Sequence, residues 1–235
     1  MQHTAALHIS GLRFRYAGRD RADGESGGYS LDIPELTLAQ GEQVLLTGGS
    51  GTGKSTLLQL IAGLMDPMGG TVTVAGTNVH ALRGASRDAF RGRSIGMIFQ
   101  TFNLLFGFSA EENILAALLF SSVPTGEHRS RARSLLDKLG ISKPRALIEH
   151  LSVGQQQRVA VARALACGPA LVLADEPTAS LDPENSDAAM ELIQTACADS
   201  GAALLCVSHD PTIRSRFKRV ESLAALRGTP EGATR

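Results

Sequence analysis

The residues best able to do chemistry stand in Gly48-Gly49-Ser50-Gly51-Thr52-Gly53-Lys54-Ser55, which fits the pattern GxxxxGK[ST]. Glycines let a backbone curl until several N–H groups face one anion. The segment that follows, LLQLIAGL, has helical spacing up to Gly63, and the positive end of its dipole points at the same place. Lys54 can reach the β- and γ-phosphates of a nucleotide, and the Ser55 hydroxyl can ligate Mg²⁺. At average composition such a match arises by chance in about one chain in a hundred of this length. The bland reading is a Gly-rich turn with a surface lysine. Context decides: the apolar run Gln43–Thr47 precedes the loop as a buried strand, so the loop joins a strand to a helix.

A second constellation is LVLADE. It places Asp175 and Glu176 at the carboxyl end of an apolar strand, where open α/β sheets bind ligands. Asp175 can hold Mg²⁺ through water, and Glu176 can accept a proton from an attacking water or orient it. Two acids after a strand also commonly cap the next helix; the phosphate loop favours the chemical reading. Gln100 alone reads as a polar strand end, and His209 alone as a surface or satisfied histidine.

The elements that must position these groups follow from pattern. Strand signals run over Leu7–Tyr16, Tyr29–Leu38 (with Pro34 marking an edge or bulge), Thr71–Ala75, Ile95–Phe99, Leu171–Ala174 and Ala203–Val207. The Gly-rich run 17–28 reads as a loop. Ser109 with Glu112, and Ser152 with Gln155, read as capping boxes that open helices. An amphipathic helix is expected over 127–139 and another long one over 152–166. Asp182-Pro183 reads as an N-cap and first helical residue of a helix reaching about Gly201. Residues 109–168 are therefore expected to be nearly all helical, inserted in an α/β core.

Composition bounds the function. The 235 residues suit one large domain with a core of its own. Lys+Arg and Asp+Glu are both 23, so binding of nucleic acid by bulk charge is not expected. The longest apolar run, Ile114–Phe120, is too short to span a bilayer. Met1-Gln2-His3-Thr4 lacks the pattern of a signal peptide. Cys167, Cys197 and Cys206 form no CxxC and read as small core residues in a reducing cytosol. The tail 228–235 is expected to fray.

Between the two constellations stands LSVGQQQR, 151–158; after them come Ser180-Leu181-Asp182 and Ser208-His209-Asp210, with Gln100 upstream. This order resembles the nucleotide-binding subunit of ATP-binding cassette (ABC) transporters over about residues 7 to 226. The resemblance implies a P-loop ATPase fold of the α/β class, with a mainly parallel sheet, an antiparallel β subdomain and an inserted helical subdomain. It implies one domain over 1–235, divided into a core of 1–108 and 169–227 and a signature subdomain of 109–168.

The implied ligands are ATP and Mg²⁺. Gly48, Gly49, Ser50, Gly51, Thr52, Gly53, Lys54, Ser55 and Thr56 match the phosphate loop. Ser152, Gly154 and Gln155 match the signature, and Asp182 the D-loop aspartate. Gln100 matches the Q-loop glutamine, which touches Mg²⁺ or water and senses a permease; Ser55 and Asp175 complete the metal set. His209 matches the switch histidine, catalytic beside Glu176. Tyr16 falls where such proteins stack an aromatic on adenine; Phe14 is close, and either can be plain core. The signature is usually LSGGQ, and Val153 replaces its first glycine. Val is harmless if that position starts an ordinary helix, and lowers affinity if the backbone must come close to phosphate.

Because Ser152 opens a helix, its N-terminus is a second anion site. Two ATP molecules sandwiched head to tail between two copies, or between this chain and a similar one, follow naturally. The other implied partner is a membrane permease, met near Gln100, Phe102, Leu104, Leu105 and Phe106, with the chain peripheral on the cytoplasmic face of the membrane. Their alternative reading is subdomain core. SIGMIFQTFNLLFGFSAEENI and DEPTASLD resemble the ATPases of lipoprotein-release and macrolide-export systems. Rival classes are a soluble ABC-type ATPase acting on DNA or ribosomes, which would need coiled coils, a tandem cassette or basic arms, and a binding module with little turnover, which Glu176, His209 and Asp182 argue against.

Overall fold

The structure is a computed structural model that describes residues 5–16, 30–179, 181 and 183–227. The expected loop at 17–28, the tail 228–235, Met1–Thr4, and Ser180 and Asp182 lie outside the described residues. In chain order the strands are β1 (Leu7–Arg15), β2 (Ser30–Leu38), β3 (Gln43–Thr47), β4 (Gly69–Val74), β5 (Thr77–Asn78), β6 (Ile95–Ile98), β7 (Leu171–Asp175), β8 (Ala203–Ser208) and β9 (Arg219–Ser222). The helices are α1 (Lys54–Ile61), α2 (Gly84–Ser94), α3 (Ala110–Leu118), α4 (His128–Lys138), α5 (Val153–Leu165), α6 (Pro183–Ser200) and α7 (Leu223–Leu226).

Two sheets form. One is antiparallel, in the order β2-β1-β4-β5. Pro34 falls on β2, an edge strand, at a position the pairing with β1 skips. The other is wholly parallel, in the order β6-β7-β8-β3-β9. Its central strands are apolar on both faces, as a sheet covered on both sides requires. Alternate residues of β3 face opposite ways: Val44 and Leu46 join the cluster shared with the antiparallel sheet and α1, and Leu45 joins the cluster of α5 and α6.

A third apolar cluster is built from α3, α4 and α5 around Ile114, Leu118, Ala132, Leu136 and Val159. The stretch expected to be nearly all helical is interrupted here. Residues 119–127 and 139–152 carry short 3₁₀ turns and loops, and Gly140 in a left-handed conformation ends α4. The capping boxes are made as the sequence requires: Ser109 N–H donates to Glu112 Oε2 at 2.8 Å, and Ser152 N–H to Gln155 Oε1 at 3.0 Å. Val153 is the first residue of α5, exposed and with no left-handed backbone, so it starts an ordinary helix.

Helix α2 and strand β9 carry no clear sequence signal. The first has a single buried residue, Phe90, and the second a half-buried pattern without alternation. Cys197 and Cys206 are buried, and burial pushes the Cys197 thiol up to about 12 and the Cys206 thiol higher still. Cys167 differs from the core role expected of it: it is half-buried, its Sγ–H pointing to the Ala117 carbonyl at 3.3 Å. Among the described residues no helix is long and apolar enough to cross a membrane.

Gly96 on β6 lies under the last turn of α5. A Cβ there would press into the carbonyl oxygen of Ala164 and crowd Pro169. Gly96→Ala should therefore destabilise the chain by about 1–3 kcal/mol, as overpacking against backbone does, read as a lower urea midpoint with an unchanged m-value.

Candidate functional site

Because all five strands of the second sheet are parallel, their carboxyl ends share one edge. Four neighbouring ends supply the chemistry. β6 leads to Gln100, β7 ends in Asp175 followed by Glu176, β8 ends in Ser208 followed by His209, and β3 leads into the phosphate loop. Tyr16, Ser50–Thr56, Gln100, Glu176, Ala179 and His209 line one cavity of about 530 Å³.

The loop is shaped by its glycines. Gly51 and Gly53 have φ of 73° and 91°, which side chains resist, and a Cβ on Gly48 would meet Thr52 Oγ1 at 2.9 Å. Thr52 Oγ1 donates to the Gly49 carbonyl at 2.8 Å. Gly53 is the N-cap of α1 and offers no side-chain cap, and the first turn has no acid. The N–H groups there are open to an external anion. Lys54 is buried, with Nζ donating to the Gly48 and Gly49 carbonyls at 2.9 and 3.0 Å and lying 3.4 Å from Glu176 Oε1.

Glu176 sits at φ 46°, a strained value for a side-chain-bearing residue, and its own N–H is tied to the Val207 carbonyl. Oε2 accepts from the Ser208 hydroxyl at 3.0 Å and the His209 N–H at 3.3 Å; Oε1 lies 2.9 Å from His209 Nδ1. A carboxylate only accepts, so the imidazole carries a proton on Nδ1. Burial alone would raise this carboxyl, but the bonds from His209 and Ser208 outweigh it and hold it below the usual range. Asp175 behaves oppositely. Burial raises it, and neither the Ser55 hydroxyl, donating at 3.0 Å, nor the charge of Lys54 compensates fully.

The pair Ser55 Oγ and Asp175 Oδ1 is a sparse, all-oxygen donor set, and among the described residues no group of three or more His, Cys, Asp or Glu is placed to hold a metal. Such a set fits Mg²⁺, which keeps waters and takes phosphate oxygens, and does not fit a structural zinc.

The remaining expected residues divide clearly. Tyr16 is 43% exposed and lines the cavity, its ring edge-on to Phe14 at 4.9 Å; Phe14 is core. Thr56 and Gln100 line the cavity. Ser152, Gly154 and Gln155 do not; they stand exposed at the start of α5. A Cβ on Gly154 would meet nothing within 4 Å. Asp182 lies outside the described residues. Of the apolar residues after Gln100, Phe102 and Leu104 are buried in the α3–α5 cluster, so for these two the core reading holds; Leu105 and Phe106 are exposed. Ser208, a donor to Glu176, is a residue of the site to which the sequence gives no role of its own, and its adjacency to His209 is the available signal.

The profile of the family described as ABC transporter matches residues 31–179. The chain is 41% identical over 197 residues to the lipoprotein-releasing system ATP-binding protein LolD of Chromohalobacter salexigens, covering 82% of each chain. It is 38% identical over 221 residues to LolD of Bordetella avium, covering 93% of this chain and 96% of the relative. A dimeric ATP-binding cassette, MJ0796, solved in a post-hydrolysis state bound to ADP and Pi, superposes with a TM-score of 0.74 at 29% identity, covering 92% of this chain and 93% of that one.

The raised Asp175 carboxyl makes a prediction about stability. An acid whose folded pKa lies above its unfolded value loses stability as pH rises from the unfolded value through the folded one. At neutral pH the charge of Asp175 opposes folding. Asp175→Asn keeps an acceptor for Ser55 and removes the charge, so in nucleotide-free buffer at pH 7.5 its Tm should exceed wild type, with a smaller gain at pH 4 and stimulation of ATP binding by Mg²⁺ lost.

Proposed function

This chain belongs to the ABC transporter family, and on that premise we propose that it is the ATP-hydrolysing subunit of a lipoprotein-release type system, pairing on ATP and driving a separate permease from the cytoplasmic face of the membrane. The observation that carries the reading is a division of labour in one chain. The phosphate loop, Glu176 and His209 converge on one cavity, with Asp175 bonded to Ser55 at its side, while the capped N-terminus of α5 stands outside it, exposed. Its likeness over nearly full length to LolD proteins and to a dimeric cassette supports the partner and type. The net charge of zero accords with a partner that is not nucleic acid.

The chemistry follows from the residues. Loop N–H groups and the α1 N-terminus bind the phosphates, and Lys54 exchanges the Gly48 and Gly49 carbonyls for β- and γ-phosphate oxygens. Tyr16 stacks on the base. Ser55, Asp175 and Gln100 would hold Mg²⁺, which would supply charge neutralisation on the phosphates. Glu176 takes or orients the proton of the attacking water through Oε1, once His209 Nδ1 gives up that oxygen; Ser208 and the His209 N–H keep Oε2 in place. His209 is then placed beside the γ-phosphate. Ser152, Gly154, Gln155 and Asp182 serve the nucleotide of the opposing copy. Gly154 needs no room inside its own chain, which accords with contact from outside. Residues 109–168 act as the signature-bearing unit of a single domain, and 1–108 with 169–227 as the core. The exposed Leu105 and Phe106 meet the permease.

Two experiments test this. Glu176→Gln should keep ATP binding, lower turnover at least about a hundredfold, the low end for loss of a general base, and accumulate an ATP-held dimer on size exclusion; near-normal turnover would remove Glu176 as the base. The second mixes two defective chains, Lys54→Ala and Ser152→Arg. One site of the mixed dimer has both defects and the other has none, so ATP-dependent cross-linking of differently tagged copies should return on mixing. If Ser152→Arg alone pairs and hydrolyses ATP normally, the signature does not act across the dimer.

A further inference from the structure

Arg163, near the end of α5, is a cation with no carboxylate in hydrogen-bond or ion-pair contact among the described residues. It is half-buried, and its guanidinium donates to two backbone carbonyls: Nη1 to Asn103 at 2.5 Å and Nη2 to Phe102 at 2.7 Å. Those carbonyls belong to two adjacent left-handed residues, Phe102 at φ 58° and Asn103 at φ 47°. Left-handed backbone is uphill for a bulky side chain such as Phe. A planar fork reaches both carbonyls in one fixed geometry, whereas a rotatable ammonium on a shorter stem at this position would hold the turn less rigidly.

The turn lies directly after Gln100, whose side chain makes no hydrogen bond among the described residues, so its backbone sets its position. On the far side the same segment is gripped by buried Asn113 of α3, which accepts from the Leu105 N–H at 2.8 Å and donates to the Leu105 carbonyl at 3.1 Å. The chain thus leaves the parallel sheet at Gln100 and by Phe102 belongs to the helical cluster. Arg163 stands on the same continuous helix as the cap Ser152, about 16 Å away along the axis at 1.5 Å per residue.

We propose that Arg163 is a positioning residue that locks the turn after Gln100 to α5, so that a push on exposed Leu105 or Phe106 moves Gln100 and Ser152 together. This rests on the reading of Ser152 as acting on the opposing copy's nucleotide. Neither Arg163 nor the turn touches the cavity that holds the phosphate loop, apart from Gln100 itself. ATP affinity and ATP-dependent pairing should therefore separate in a variant.

The test uses Arg163→Lys, which keeps the charge and loses the fork, and Arg163→Lys with Asn103→Gly, which makes one of the two left-handed positions free of strain. Each is built in the Glu176→Gln chain and measured for binding of a fluorescent ATP analogue, ATP-dependent pairing and Tm. Arg163→Lys should bind the analogue within about twofold of its parent, since Lys54 is untouched, and should pair at least about tenfold more weakly, a difference of about 1.4 kcal/mol. Adding Asn103→Gly should restore part of the pairing. Pairing equal to the parent overturns the proposal. So does a loss of analogue binding and pairing in parallel with Tm and without rescue, which would make Arg163 a fold residue only. If Arg163→Lys does not fold, Arg163→Gln, which still donates to one carbonyl, carries the same comparison. Failure of the parent Glu176→Gln chain to pair on ATP would instead remove the dimer reading itself.

Discussion

Everything at this site depends on one constraint: the five strands of the larger sheet run the same way. Parallel strands must be joined by crossovers, so each strand that arrives at the edge is followed by a fresh loop. Four adjacent strands deliver their loops side by side, although the residues concerned are spread from Gly48 to His209. An antiparallel arrangement would send alternate loops to opposite ends. The smaller sheet is antiparallel, and among the described residues it meets the cavity through Tyr16, the residue just past the end of β1.

The strained backbone follows the same geometry. Of the four described residues other than glycine with positive φ, Glu176, Phe102 and Asn103 lie close behind strand ends that serve the cavity. Strain of this kind persists only where surroundings over-determine it. For Glu176 the surroundings are the Val207 carbonyl on its N–H and three donors on its carboxylate. For the turn they are Arg163 and Asn113. The opposite shifts of Asp175 and Glu176 belong to this picture too. Neighbours in sequence, they end in different hydrogen-bonding surroundings, one short of donors and the other rich in them.

Much of this is legible in the sequence, and the limits have physical reasons. The phosphate loop, both capping boxes and the central strands are local patterns, written in residues within a few positions of one another. Strand order is not local, so nothing in Gln43–Thr47 says that β8 and β9 flank it. Helix α2 is invisible because its surface is polar nearly all round and its one buried anchor, Phe90, gives no periodicity. The segment after Gln100 illustrates the same point. Its apolar residues read uniformly, yet Phe102 and Leu104 turn into the cluster while Leu105 and Phe106 face out, because a left-handed turn at Phe102 and Asn103 redirects the chain. Arg163 looks like any surface arginine of an amphipathic helix, since the carbonyl oxygens it meets carry no sequence signature.

The three thiols have a practical consequence. Two are sealed inside the cluster beneath α6, and burial keeps them protonated. Cys167 sits just past the end of α5, half-buried and turned to the carbonyl of Ala117 on α3; burial raises this thiol too, with the charge of Arg131 on α4 only partly opposing it. Of the three thiols only Cys167 keeps some exposure, so it is the one a spin label or fluorophore can reach, and a label there would report on the junction of α3, α4 and α5 without an engineered cysteine.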